Sequence, residues 1–354
     1  MRVLVLGAGV AGLLAAVELS SLGAAVDVVD PKGLGAGATS RSAGILSLQM
    51  PDPLLGWVME SLEYYQALGV AERAPGLLVA PVECVEELRS LASRGVEVVE
   101  LDSGEAARLS GVEVRIPEGW TAAYTVDALV DVAALLNKLS SRLPRPPRTA
   151  DVNPYKALST GYDAVVIAAG AWSPRLLGVE PEAMAGSAIY NCEASSVSVR
   201  GSLTAILYTE GAGYAYAAPE APGRAIVGDG PNRILGEPED SRPEPGSVYE
   251  VLETLSRVYP AFLEAYPVSS WSAPCLIAGD GLPLVGEWVD GIYVLTGLDG
   301  YGLMVAPHLA RMLARHILDG APLPAFLDPH REVEPWRGAG EPPEPFRGCG
   351  GLHR

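Results

Sequence analysis

The sequence predicts an α/β fold in which a parallel-sheet domain is interleaved with an α+β domain built on an antiparallel sheet. Three observations carry that prediction. The apolar run Val3-Leu4-Val5-Leu6 feeds directly into Gly7-Ala8-Gly9-Val10-Ala11-Gly12 and a helical pattern. A second buried-type run, Ala164 to Ala169, opens into another glycine turn at Gly170. Between Ile189 and Gly230, short alternating runs such as Ser196-Val197-Ser198-Val199 and Ala205-Ile206-Leu207-Tyr208 read as antiparallel strands.

The first unit is a Rossmann-like strand, glycine turn and helix. Gly7 permits the tight turn, Gly9 lets the backbone approach a pyrophosphate, and Gly12 lets helix and strand pack closely. Val10 and Ala11 place the helix N-terminus where phosphates bind. Leu13 to Leu22 continues the helix, Gly23 ends it, and Ala25 to Val29 forms a second strand closing at Asp30. An acid roughly 20 positions after the glycines suits ribose hydroxyls and repels a 2′-phosphate. This pattern serves FAD or NAD equally well. Pro31 then opens a long glycine-rich connection that includes Thr39, Ser40, Arg41, Ser42, Ala43 and Gly44, whose small residues bring backbone amides close to phosphate, ribityl or a flat ring.

Further along, Trp57 to Gly69 reads as a helix, Gly76 to Val79 as a strand, Glu83 to Ser93 as a helix and Val96 to Leu101 as a strand. Asp127 is expected to cap an amphipathic helix presenting Leu129, Val130, Ala133, Leu136 and Leu139, ended by Pro144, Pro146 and Pro147. Val248 to Arg257 is a helix and Gly291 to Leu295 a strand. A last helix starts near Pro307 and ends before Gly320. The expected domains are 1–50, 126–175 and 276–335 for the cofactor, 51–125 and 176–275 for the substrate, and 336–354 as an irregular tail.

Composition narrows the function classes. The 354 residues are 49% hydrophobic and 19% charged, with a formal charge of −18. Arg and Lys are not clustered with aromatics, so nucleic acid is not an expected partner. No apolar stretch reaches the roughly 18 residues of a membrane span. The Met1-Arg2 start lacks a signal cleavage region, and a cytoplasmic location is expected. Cys84, Cys192, Cys275 and Cys349 are widely separated, without CxxC or histidines at zinc spacing. Neither a disulfide scaffold nor a metal site is expected.

The order of these segments resembles the FAD-dependent D-amino-acid oxidase superfamily, in its glycine oxidase, sarcosine oxidase and D-amino-acid dehydrogenase branch. The similarity is specific at Val3 to Gly12, at Gly37 to Gly44, at Ala168-Ala169-Gly170-Ala171-Trp172-Ser173, and at Asp280-Gly281-Leu282-Pro283 through Gly297 to Pro307. The resemblance implies FAD as cofactor. Gly7 to Gly12 and Asp30 would hold ADP, Pro31 to Gly44 would follow pyrophosphate and ring, and Ala169, Gly170 and Trp172 would touch the nucleotide half. Asp280, Gly281, Gly300, Tyr301, Gly302, Leu303 and Met304 would close over the pyrimidine edge, with the last helix directing its amides there.

It also implies oxidation of an amino acid or secondary amine to an imine by hydride transfer to flavin N5. The protein would mainly orient the substrate. Family members that act on amino acids place an Arg for the substrate carboxylate just before the Asp-Gly-Leu-Pro segment. Cys275 stands at that position here. Arg41, Arg224 and Arg233 are the substitute candidates, with Tyr214, Tyr216, Trp271 and Tyr301 as pocket residues. Sarcosine oxidases attach flavin through a Cys in this neighbourhood, but the offset differs, and Cys275 is expected to be structural with the flavin non-covalent.

The chain has three lysines, the last at Lys156, so the lysine that oxidases place beside the flavin is missing. A dehydrogenase is therefore expected, with a quinone, dye-like carrier or partner protein in preference to oxygen as acceptor. The rival readings are an NAD-linked dehydrogenase, a flavin-bearing subunit of a larger complex, and a hydroxy-acid or glycerol-phosphate oxidoreductase of the same superfamily.

Overall fold

A computed structural model describes residues 1–50, 53–92, 94–210, 214–229 and 233–336. The expected tail lies outside these residues apart from Trp336. In chain order, β1 (Arg2–Leu6), α1 (Val10–Ser21) and β2 (Ala25–Val29) form the opening unit. After the glycine loop come β3 (Ile45–Leu46), α2 (Leu54–Ala67), β4 (Ala71–Pro81), α3 (Val82–Ala92), β5 (Val98–Leu101), α4 (Ser103–Ser110), β6 (Trp120–Val130) and α5 (Val132–Ser141). Next follow α6 (Pro154–Ser159), β7 (Ala164–Ile167), α7 (Ser173–Leu177), β8 (Ala188–Ser198), β9 (Ile206–Thr209), β10 (Ala215–Ala221) and β11 (Arg224–Gly228). The chain closes with α8 (Ser247–Ser256), β12 (Tyr266–Ile277), β13 (Leu284–Val289), β14 (Ile292–Thr296) and α9 (Gly302–Asp319).

Two sheets result. The smaller has the order β13-β14-β7-β1-β2, with β1 parallel to both β2 and β7 and β14 parallel to β7. β7 is buried along its whole length and β1 from Val3 onward, as a parallel sheet covered on both faces requires. Gly7 has φ +116°, and a Cβ on Gly12 would lie 2.0 Å from the Gly7 carbonyl oxygen. Both glycines are thus dictated by backbone geometry. α1 packs on α9, which also packs on α2.

The larger sheet follows β12-β8-β11-β10-β9-β4-β6-β3, with β5 added on β6. It contains Ile45–Leu46 from the glycine loop and the whole of Trp120–Val130. Val248, Val251, Leu252 and Leu255 of α8 face its buried side beside Tyr259 and Phe262. Among the described residues, no helix is long and apolar enough to cross a membrane.

Two elements depart from the sequence-based expectation. Asp127 caps no helix; it lies inside β6, opposite Ala74 of β4, and Asp131 is the N-cap of α5, accepting the Ala134 amide at 2.9 Å. Leu129 and Val130 fit a helical period, but pairing with β4 and β3 holds them extended. α9 begins at Gly302, so Pro307 sits inside it. The long β12 is a strand despite Pro267 and Pro274, because it lies at the sheet edge where a missing N–H is tolerated.

Candidate functional site

Two cavities meet between the sheets. One, of about 320 Å³, runs along Gly7, Gly9, Val10 and Ala11 past Asp30, Pro31, Ala169, Gly170 and Trp172 to Gly297 and Leu298. The other, of about 250 Å³, is walled by the glycine loop, the β8–β12 edge, the start of α9 and the tyrosines of β9 and β10. Val10, Ala38, Thr39, Cys275, Asp299 and Gly302 border both, so the cavities form one extended cleft.

The first cavity is organised by backbone bonding. Asp30 Oδ2 accepts the Ala8 amide at 2.9 Å, and Oδ1 accepts the amides of Lys32 at 2.8 Å and Gly33 at 3.1 Å. The carboxylate thereby clamps both glycine loops, and its remaining lone pair is free to accept from a ligand hydroxyl. Thr39 Oγ1 accepts the Val10 amide at 3.1 Å at the N-terminus of α1. A Cβ on Gly9 would meet only that same Thr39 oxygen, at 3.0 Å. At the mouth, Lys32 stacks over the Trp172 ring at 4.2 Å, and Trp172 Nε1 donates to Glu239 at 2.8 Å. Arg175 bonds the same carboxylate and pushes it down to about 2, with burial opposing and the Trp172 bond assisting.

The second cavity has aromatic walls. Tyr208 and Tyr214 stack with ring centroids 6.3 Å apart, while Gly228 leaves room for Tyr216, whose hydroxyl a Cβ there would meet at 2.3 Å. Burial, and then the nearby Asp229, hold the Tyr216 phenol well above its usual range, so it stays a hydrogen-bond donor. Trp271 Nε1 donates to the Arg41 carbonyl at 2.8 Å, tying β12 to the glycine loop. Arg41 itself turns its Nη1 to the carbonyls of Ala36 at 3.2 Å and Gly37 at 3.0 Å. Gly300, Tyr301, Gly302, Leu303 and Met304 also line this cavity, and a Cβ on Gly300 would meet nothing within 4 Å.

Most sequence-derived candidates therefore converge, but not all. Ser42 and Ala43 border the cavity, whereas Ser40 and Gly44 do not; Gly44 packs on the Val130 carbonyl, which a Cβ would approach to 2.5 Å. Gly12 serves helix packing and lines neither cavity. Asp280 and Gly281 are removed from both. Asp280 makes a two-pronged ion pair with Arg331, at 2.6 and 2.8 Å, and caps its own turn through the Leu282 amide. Arg224 pairs with Glu220 and Ser196, and Arg233 with Glu244, so neither reaches the cleft.

Cys275 is a wall residue, and it is disulfide-bonded to Cys192 with the Cα atoms 6.1 Å apart. This overturns the expectation that no disulfide forms. β8 and β12 pair with Ala273 opposite Cys192 and Tyr190 opposite Cys275, and that register brings together cysteines separated by 83 positions.

Sequence reasoning missed Ser47, Gln49 and Tyr208, which also line the cavity, and the four carboxylates on its wall: Glu193, Glu210, Asp229 and Asp299. Among the described lining residues, Arg41 is the one cation. Ser47 and Gln49 flank Leu48 just before 51, a position without a local signal.

The cleft fits an FAD. It is long enough to require two joined cavities, has a backbone-only turn at Gly7–Gly9 and an acid at the end of β2, and receives the N-termini of both α1 and α9. A family model described as FAD dependent oxidoreductase (DAO) matches residues 2–316. The chain is 26% identical over 371 residues to glycine oxidase of Pseudomonas aeruginosa, covering 91% of this chain and 97% of that protein. It is 24% identical over 360 residues to glycine oxidase of Geobacillus kaustophilus, covering 88% and 91%. Among solved structures, L-proline dehydrogenase from P. horikoshii superposes with TM-score 0.79 at 21% identity, over 94% of this chain and 99% of that one. Glycine oxidase from Geobacillus kaustophilus superposes with TM-score 0.75 at 23% identity, over 94% and 99%.

Proposed function

The chain belongs to the FAD-dependent oxidoreductase (DAO) family, and from that premise we propose that it oxidises the C–N bond of an amine or amino acid to an imine, as a dehydrogenase. The observation that carries the reading is the joined cleft: a cradle for a dinucleotide continues, through Val10, Thr39 and Cys275, into a cavity with aromatic walls. When bound, the flavin supplies the two-electron acceptor.

In this reading Gly7, Gly9, Val10, Ala11 and Asp30 hold the ADP part, while Thr39, Arg41, Ser42, Ala43 and Gly300 to Met304 border the ring. The chain's own residues orient the substrate and exclude water, the main contributions such a site makes. Tyr214 and Tyr216 offer ring faces and hydroxyl donors to the substrate. The start of α9 presents amides to whatever negative charge develops near it. No lysine lines the described wall of the substrate cavity. That supports an acceptor other than oxygen.

The missing Arg on β12 shapes the substrate reading. With Cys275 in a disulfide and Arg224 and Arg233 paired elsewhere, Arg41 is the remaining cation for a carboxylate, and its Nη2 and Nε are the groups available for one. The test compares dye reduction with peroxide formation in the purified protein. Dye reduction that outpaces peroxide release supports the reading; equal rates contradict the dehydrogenase part.

A further inference from the structure

Asp127 is completely buried on β6, behind the wall of the substrate cavity and not on it. Its Oδ1 accepts the Leu48 amide at 2.9 Å and the Ser47 hydroxyl at 3.4 Å, and its Oδ2 accepts Gln49 Nε2 at 3.3 Å. Gln49 Nε2 also donates to Thr125 Oγ1 at 3.2 Å, and Ser47 Oγ accepts the Gln49 amide at 3.2 Å. Space for this cluster comes from Gly76 of β4, where a Cβ would lie 2.3 Å from Thr125 Oγ1 and 2.6 Å from Asp127 Oδ2.

None of these partners is a cation. Burying a carboxylate without a counter-charge is costly, and burial pushes its affinity for a proton upward, against the hydrogen bonds from Leu48, Gln49 and Ser47 that hold it down. From β9, the Tyr208 phenol faces the same carboxylate; its hydroxyl is buried outside hydrogen-bonding geometry. Tyr124 of β6 is the other titratable group whose charge acts with Asp127, and Arg73 of β4, opposite Ala128, acts in turn on Tyr124. Ser47, Gln49 and Tyr208 line the cavity, so the buried carboxylate communicates with a ligand through them.

Amine oxidation requires a neutral nitrogen, yet aliphatic amines arrive protonated at neutral pH, given ordinary values near 10. We infer that Asp127, acting through Ser47, takes the proton that the substrate ammonium gives up in the cavity. This rests on the amine reading above. The N–H bond breaks with its electron pair left on nitrogen. Ser47 Oγ receives that proton and passes its own to Asp127 Oδ1, forming the acid. Two opposite buried charges become two neutral groups, the favoured direction in a low-dielectric site. Asp127 is thus a positioning residue with a proton function, and Ser47 is the group that touches the substrate.

The test uses FAD-loaded protein mixed anaerobically with sarcosine, glycine and proline, following flavin bleaching across pH and the carboxyl region of the infrared spectrum. The native protein is expected to gain a protonated-carboxyl band. Asp127→Asn lacks that band and bleaches at least ~10-fold more slowly at neutral pH, recovering at alkaline pH where the amine is already neutral. Ser47→Ala keeps the carboxylate while breaking the relay, so it reproduces the pH shift even if the Asn variant folds poorly. Bleaching in all three proteins with overlapping pH profiles overturns the Asp127 assignment alone. Bleaching in none contradicts the amine reading and this inference with it.

Discussion

Thr39 Oγ1 accepts a hydrogen bond from the Val10 amide at 3.1 Å, fastening the long glycine loop to the first turn of α1. Both residues border both cavities, so this contact stands where the two cavities join. Thr39→Val removes a helix N-terminal acceptor and is expected to cost about 1 kcal/mol of stability. Flavin retention after gel filtration should fall with it. Unchanged melting and retention would separate the loop from the site.

Gly9 and Gly12 should fail differently. A Gly9 Cβ meets only Thr39 Oγ1 at 3.0 Å, whereas a Gly12 Cβ meets the Gly7 carbonyl at 2.0 Å. Gly9→Val is expected to leave a folded protein that no longer retains flavin. Gly12→Val strains the backbone by ~3 kcal/mol or more and lowers the melting temperature before any question of binding arises. Circular dichroism melts and flavin absorbance on the same samples check the difference.

Asp30→Ala removes three charge-assisted bonds, from Ala8, Lys32 and Gly33. Losing hydrogen bonds to a charged group costs roughly 1.5–3 kcal/mol each in favourable cases, and part is recovered by water at this half-exposed site. FAD affinity should weaken by at least ~10-fold. A variant that binds FAD as the native protein does would move the adenosine away from β2.

Cys275 Sγ is committed to Cys192, so no flavin thioether forms there. Acid precipitation is expected to leave a colourless pellet and a yellow supernatant. Colour in the pellet would contradict the disulfide assignment.

Glu239 is held down to about 2 by Arg175, so its contribution to stability is present above its ordinary value of 4.5 and is lost as pH falls through about 2. Both side chains are about half exposed, which limits the worth of the pair to about 0–1 kcal/mol. Arg175→Met should return the carboxyl towards 4.5 in an NMR titration, with little change in the melting temperature.

The parts legible in the sequence were those set by local backbone demands. Gly7, Gly12 and Asp30 stand where a turn, a close helix and a loop clamp require them, within one short βαβ unit. The cavity wall was harder because it is assembled across strands. Cys192 meets Cys275, and Trp271 reaches Arg41, only through the register of β8 and β12. Asp127 and Asp131 both look like helix caps, and nothing local reveals that β4 claims the first. Pro307 marks a favoured helix start, but α9 begins earlier at Gly302, after its N-cap Tyr301. Asp280 shared the expected motif, yet Arg331, far away in sequence, turned it into a structural ion pair.

On the proposed reading, one cleft holds FAD beside a cavity for an oxidisable amine. Anaerobic titration of the purified, FAD-loaded protein with D- and L-amino acids, sarcosine, glycine and proline tests it most directly. At least one of these compounds is expected to bleach the visible flavin band. A flavin that stays oxidised with every one of them would contradict it.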